Sequence, residues 1–146
     1  MKKNQARAES FKKTRKSHAL ESAEDYTELI SELIAAHGVA RTGAIAEALG
    51  VSHVTALRTI QRLQREGYVN TKPHQPVELT PKGHKLAAFC LHRHRVVEDF
   101  LLRIGVSAET AAVDSEGIEH HISPETLECL SRVPRLHQAT AQKKKR

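Results

Sequence analysis

Thr42-Gly43-Ala44-Ile45-Ala46-Glu47-Ala48-Leu49-Gly50-Val51-Ser52-His53-Val54-Thr55-Ala56-Leu57-Arg58-Thr59-Ile60-Gln61-Arg62-Leu63 decides the fold. Gly43 to Leu49 spaces Ile45, Ala46 and Leu49 for one side of a short helix. Gly50-Val51 is a tight turn, and Ser52 is a cap for a second helix running to about Arg65. Ala56, Leu57, Ile60 and Leu63 form its inward line, and small Ala46 lets the two helices approach closely. Two such helices joined by a glycine turn make a helix-turn-helix. The outward face of the second carries Ser52, His53, Val54, Thr55, Arg58, Thr59 and Arg62. In a DNA reader the start of this helix meets base edges. Val54 and Thr55 suit a thymine methyl, Arg58 suits guanine, and Arg62 suits a phosphate. The competing reading is an ordinary solvated helix face.

The flanks extend the motif. Gly67 ends the second helix. Residues 68–72 and 77–80 read as short strands joined through Pro73-His74-Gln75-Pro76. A hairpin after a recognition helix is a wing, with Lys72 and His74 at its tip to meet the DNA backbone. Upstream, Ser22 caps a helix whose apolar line is Tyr26, Leu29, Ile30, Leu33 and Ile34, stopped at His37-Gly38. Residues 22–82 are therefore expected to form a winged helix-turn-helix domain. Residues 1–21 lack apolar periodicity and read as a disordered basic arm, either a contact for DNA phosphates or a solubilising tail. Thr80-Pro81 opens a long helix to about Ile104, lined by Leu86, Ala87, Cys90, Leu91, Val97, Leu101 and Leu102. Gly105-Val106-Ser107 breaks the chain before a helix from about Ala108 to His121. Ser123-Pro124 then starts a short helix through Leu127 and Leu130, ended by Val133-Pro134. Residues 83–136 form a second, all-helical domain in this reading, and residues 137–146 a disordered basic tail. The fold class is mainly α.

Composition agrees. With 39% hydrophobic residues, 3% aromatics and no Trp in 146 residues, the core is modest, aliphatic and helical. No apolar run nears the roughly 18 residues of a membrane span. The basic start lacks the apolar stretch of a signal peptide, so a cytoplasmic location with no membrane partner is expected. Cys90 and Cys129 have no CxxC spacing and read as reduced thiols. Charge is segregated in blocks. Residues 1–20 hold seven Lys/Arg and one Glu, residues 21–40 five acids and no Lys/Arg, and residues 41–95 nine Lys/Arg and three acids. Residues 96–142 hold eight acids and three Lys/Arg. Such blocks suit a chain that grips a polyanion with one part and a cation with another.

The cation reading centres on Asp114-Ser115-Glu116-Gly117-Ile118-Glu119-His120-His121. On a helix, Glu116, Glu119 and His120 share one face at spacings of three and four. Asp25 and Glu28 are likewise three apart on the first helix. The bland alternatives are a solvated acidic face and first-turn acids favoured by the helix dipole. Gathering these groups without a counter-charge is costly, and a divalent cation removes that cost. An oxygen-rich set without Cys favours Mn²⁺ over zinc or copper, with Fe²⁺ chemically open.

Three segments carry a resemblance. They are Glu24-Asp25-Tyr26-Thr27-Glu28, then His94 with Val96-Val97-Glu98-Asp99-Phe100-Leu101, then Asp114 to His121. In order and spacing the chain resembles the manganese transport regulators, the short branch of the diphtheria-toxin-repressor-like metalloregulators, over about residues 22–131. The resemblance implies a homodimeric winged-helix repressor with two Mn²⁺ per subunit. It implies that Asp25, Glu28, His94, Glu116, Glu119 and His120 are the ligands, and that the helical domain binds metal and dimerises. The iron-sensing branch carries Cys or Met where this chain has Glu119. The basic arm and the Lys/Arg-rich end lie outside the resemblance, and the wing tip has two prolines and no glycine.

The expected function is that of a Mn²⁺-activated repressor of manganese-uptake genes, bound to double-stranded operator DNA and without enzymatic activity. The alternatives are a winged-helix regulator answering Fe²⁺ or a small molecule, and a metal-dependent hydrolase. Against the hydrolase stand the missing nucleophile constellation and the missing Gly-rich phosphate loop.

Overall fold

The computed structural model describes residues 2–134. The expected tail, residues 137–146, lies outside them, as does the end of the second domain at 136. Among the described residues the fold is six α-helices and one small hairpin: α1 Lys2–His37, α2 Thr42–Leu49, α3 His53–Arg65, β1 Val69–Asn70, β2 Glu78–Leu79, α4 Pro81–Arg103, α5 Ala108–Ile118 and α6 Pro124–Ser131. The chain divides into two compact units, the first ending at Cys90 and the second beginning at Leu91, so the division falls within α4.

The first unit is the winged helix. Its core gathers Tyr26 and Ile30 of α1, Ile45 of α2, Ile60 and Leu63 of α3, Val69 and Leu79 of the hairpin and Ala87 of α4. Gly50 makes the α2–α3 turn in the left-handed region at φ 64, where glycine meets no Cβ penalty. Its N–H donates to the Glu47 carbonyl, and that of Val51 to the Ala46 carbonyl. Ser52 caps α3 by accepting from the Thr55 N–H at 3.1 Å. β1 and β2 pair antiparallel, Val69 opposite Leu79 and Asn70 opposite Glu78. Thr80 ties the wing to α4: its hydroxyl donates to the carbonyls of Gly67 and Tyr68, and accepts from the Gly83 N–H. Gly83 is required by a close approach, since a Cβ there would sit 2.0 Å from the Tyr68 carbonyl oxygen.

The structure corrects four expectations in detail. Residues 2–21 are not a disordered arm; α1 starts at Lys2 rather than at Ser22. No Gly or Pro interrupts Lys2 to His37, and Lys, Arg, Ala, Gln and Glu are good helix formers, so nothing stops the helix from propagating upstream. Leu57 is not inward; it is 39% exposed, one position round the helix from the buried line Ala56, Ile60 and Leu63. The strands are shorter than expected, because Pro73 and Pro76 have no N–H and Val77 turns to pair with Ala40, donating to its carbonyl at 2.7 Å. The helix over 108–121 is regular only to Ile118, and Glu119–His121 tighten into a 3₁₀ turn. Ile122 is already extended ahead of the Ser123-Pro124 cap, so the last turn must narrow as the chain leaves.

In the second unit Val97, Leu101, Ala111 and Leu127 form a small apolar cluster, flanked by Val96, Phe100, Val106, Ile122 and Leu130. Ser107 and Ser123 cap α5 and α6, each accepting from an N–H three residues on. Arg103 closes the end of α4 against the chain after α6, donating to the Val133 carbonyl at 2.7 Å.

Candidate functional site

Within the second unit, α4 and the end of α5 bring three of the expected ligands together. Ligating atoms of His94, Glu116 and Glu119 all lie within 4.8 Å of one another. His94 Nδ1 is 2.8 Å from Glu119 Oε2 and 3.7 Å from Glu116 Oε1. Glu116 reaches in from the surface, whereas the Glu119 side chain is 1% exposed. Glu119 is buried where it meets His94 of α4, at the start of the 3₁₀ turn, while Glu116 lies one turn earlier on α5.

Burial pushes the Glu119 carboxyl above its ordinary value, against the lowering pull of His94, His120 and Arg93. A cation beside it would reverse that balance. The donors are two carboxylates and one imidazole, a set suited to a hard or borderline divalent ion. Neither cysteine is in the cluster.

His120 stands beside the three and not among them. Its Nε2 is 3.8 Å from Glu119 Oε1, and its Nδ1 accepts from Arg93 Nη2 at 3.3 Å. A guanidinium always donates, so this contact puts the proton of a neutral His120 on Nε2. Arg93, 4% exposed, is a residue the sequence reading missed. Its only sequence signal is its place next to His94, which does not reveal burial. Glu98 was also missed as a participant; its carboxylate is 3.7 Å from His94 Nε2. The i,i+4 spacing of His94 and Glu98 was the available signal, and a carboxylate on the second ring nitrogen is how a ligating imidazole is oriented. Asp25 is exposed and Glu28 half-buried on α1, in the first unit.

The candidate nucleic-acid residues lie in the first unit. Ser52, His53, Val54, Thr55 and Arg58 are exposed at the start of α3, and Thr59 is half-buried. Ser52 and Thr55 hold each other, hydroxyl to hydroxyl at 2.9 Å. Lys72 is exposed on the wing. Arg62 is engaged within the unit: its guanidinium donates to the Ala19 carbonyl at 3.2 Å and to Glu66 at 3.3 Å. A groove of about 570 Å³ runs between the start of α2, α3 and the wing, lined among others by Arg41, His53, Leu57, Gln64 and Lys72. Arg41 and Gln64 had no sequence signal, because the groove exists only once the wing folds beside α3.

A winged helix joined to a helical unit with clustered hard ligands defines the class of metal-responsive DNA-binding regulators. Comparison with known families agrees. Residues 18–77 match the iron dependent repressor N-terminal DNA binding domain, and residues 80–135 its metal binding and dimerisation domain. The chain belongs to the iron dependent repressor family. It is 43% identical over 134 residues to the transcriptional regulator MntR of Salmonella typhimurium, covering 92% of this chain and 85% of that protein. Among solved structures it is similar to IdeR of T. acidophilum, with a TM-score of 0.66, 30% identity and 73% of this chain covered. It is also similar to the manganese regulator SloR, with a TM-score of 0.65, 29% identity and 74% of this chain covered. The chain spans 51% of the length of each of these two structures. Among the described residues, no helix is long and apolar enough to cross a membrane.

Proposed function

We propose that this protein is a Mn²⁺-activated, homodimeric repressor that binds operator DNA and silences manganese-uptake genes. The observation that carries the reading is the buried Glu119 carboxylate held against His94 and Glu116. A carboxylate so placed supplies a hard oxygen where a softer ligand would favour other metals. Mn²⁺ adds positive charge directly on this buried group. Asp25, Glu28 and His120 complete the ligand set for a pair of ions per subunit, and His120 exchanges its Arg93 contact for the metal. The similarity to MntR and to the manganese regulator SloR supports manganese as the signal.

DNA is read by Ser52, His53, Val54, Thr55, Arg58 and Thr59, while Lys72 meets the backbone and Arg62 braces the unit. Val113 at 70% exposure and Ile118 at 41% leave an apolar strip on α5, a surface suited to a second copy. Metal and operator favour one conformation, so each tightens the binding of the other by the same factor. A coupling of about 1–3 kcal/mol gives a switch of roughly 5- to 150-fold.

The test is a Mn²⁺ titration of the wild type and of Glu119→Ala and His120→Ala, followed by thermal unfolding and by gel shift on DNA upstream of manganese-uptake genes. The wild type gains stability and DNA affinity with Mn²⁺, and both variants stay folded and lose the gain. A variant with the full wild-type response refutes the ligand assignment.

A further inference from the structure

The first helix starts well before the winged-helix unit needs it. Residues from Asn4 to His18 are exposed throughout, and buried positions of α1 begin only at Ala23. The segment precedes the matched DNA-binding domain for most of its length, since that match begins at residue 18. It carries Arg7, Lys12, Lys13, Arg15 and Lys16 against a single acid, Glu9. Lys12 and Lys16 are four apart, and Lys12 with Arg15 and Lys13 with Lys16 are three apart. Like charges at these spacings repel on a helix, so this stretch gains from a polyanion that neutralises them.

The root of the segment is fixed to the last turn of α3, the helix whose first turns carry the proposed DNA-reading residues. Arg62, in the last turn of α3, donates to the Ala19 carbonyl. No Gly or Pro follows before Gly38, so the segment is a stiff continuation of α1 and not a tether. From Lys2 to Ala19 a helix spans about 27 Å at about 1.5 Å per residue. Duplex DNA presents one charge per roughly 1.7 Å of axis, so several phosphates fall within that reach.

We propose that residues 2–19 are a second DNA-binding element: a basic helix that lies along backbone phosphates beside the stretch read by α3. The inference rests on the DNA-binding reading above. A lipid surface fits less well, because the segment has no apolar face to bury. Phe11 is its one large exposed apolar side chain, and Arg7 lies over that ring at 5.7 Å. Phosphate contacts carry no sequence information, so the element adds affinity and salt dependence to operator and random DNA alike.

The experiment replaces Lys12, Lys13, Arg15 and Lys16 together by Gln in the full chain. A second variant lacks residues 2–17. Unfolding temperature and Mn²⁺-induced stabilisation establish that both stay folded and metal-responsive. Affinity for a long random-sequence duplex is then measured by fluorescence anisotropy across a KCl series with Mn²⁺ present. The expected result is a shallower log–log salt slope, by about 0.9 for each phosphate no longer neutralised, and at least a tenfold loss of affinity at low salt. Unchanged slope and affinity in both variants overturn the proposal while leaving the DNA-binding reading intact. The proposal also fails if the variants lose binding to phosphatidylserine vesicles and keep binding to the duplex. A wild type that binds no duplex at any salt overturns both readings.

Discussion

The two units bury different chemistry. The winged-helix unit closes over a large aliphatic core, with Ile30, Ile45, Ile60, Leu63 and Val69 at 0% exposure, and buries Thr27 and Glu24 at its side. The metal unit has four apolar residues in its cluster, and places Glu119, Arg93 and Ser115 at 1%, 4% and 0% exposure. Apolar burial stabilises whatever the solution contains, at roughly 25 cal/mol per Å². A buried carboxylate stabilises only when its charge is compensated. The first unit therefore draws most of its stability from apolar burial, and the second depends more on the ion supply.

The largest effect tests the winged-helix unit. Gly83→Ala places a methyl group 2.0 Å from the Tyr68 carbonyl oxygen, and both partners are backbone or fixed to it. The wing or the start of α4 must move, and Thr80 loses its bonds to Gly67, Tyr68 and Gly83. A loss of about 3 kcal/mol or more is expected in urea unfolding, from overpacking against an atom that cannot yield. Saturating Mn²⁺ does not restore the wing. A variant with wild-type stability would show that this junction is looser than the rest of the core.

The second effect tests the metal unit. Glu119→Gln keeps the shape and removes the charge. The wild-type carboxyl has a pKa raised by burial, so the folded chain holds its proton more tightly than the unfolded chain. Stability of the metal-free wild type therefore falls as pH rises from the ordinary glutamate value to the raised one, and the full cost persists above it. The Gln variant lacks that fall. Without metal it is at least as stable as the wild type at neutral pH. With Mn²⁺ at about 100 times the wild-type dissociation constant it lacks the roughly 2.7 kcal/mol of stabilisation that the wild type gains. Thermal melts over a pH series with and without Mn²⁺ measure both parts. A metal-free variant less stable than the wild type would contradict the charge argument.

The same contrast explains what was legible in the sequence. The α2–α3 pair announces itself through Gly50, the Ser52 cap and the spacing of Ala56, Ile60 and Leu63, all local signals. The metal cluster was legible as residue types, because His94, Glu116 and Glu119 lie in recognisable segments. Its geometry was not. Whether Glu119 is buried depends on its meeting with His94 across 25 positions, and whether His120 joins depends on a contact with Arg93 across 27. Periodicity describes one helix at a time and carries no information on such pairings. The upstream start of α1 was misread for the opposite reason. A helix with no apolar face has no periodicity to detect, and its propensity and lack of breakers were outweighed by its charge.

The smallest effect sharpens the comparison at the wing. The turn from Lys72 to Gln75 is closed by the Gln75 N–H on the Lys72 carbonyl at 3.0 Å. Pro73 sets its first corner, and His74 takes the second at φ 64, the position where glycine is usual. A non-glycine residue there costs about 1 kcal/mol. His74→Gly relieves that strain but adds freedom to the unfolded chain, which takes back about half of it or more. The net gain is a few tenths of a kcal/mol, a rise of about 1–2 °C in unfolding temperature. Because no residue of the turn is among the proposed metal ligands, the gain is the same with and without Mn²⁺. A loss of stability would mean that the imidazole makes wing contacts worth more than the strain it imposes. A gain that grew with Mn²⁺ would mean that the wing answers the metal as well.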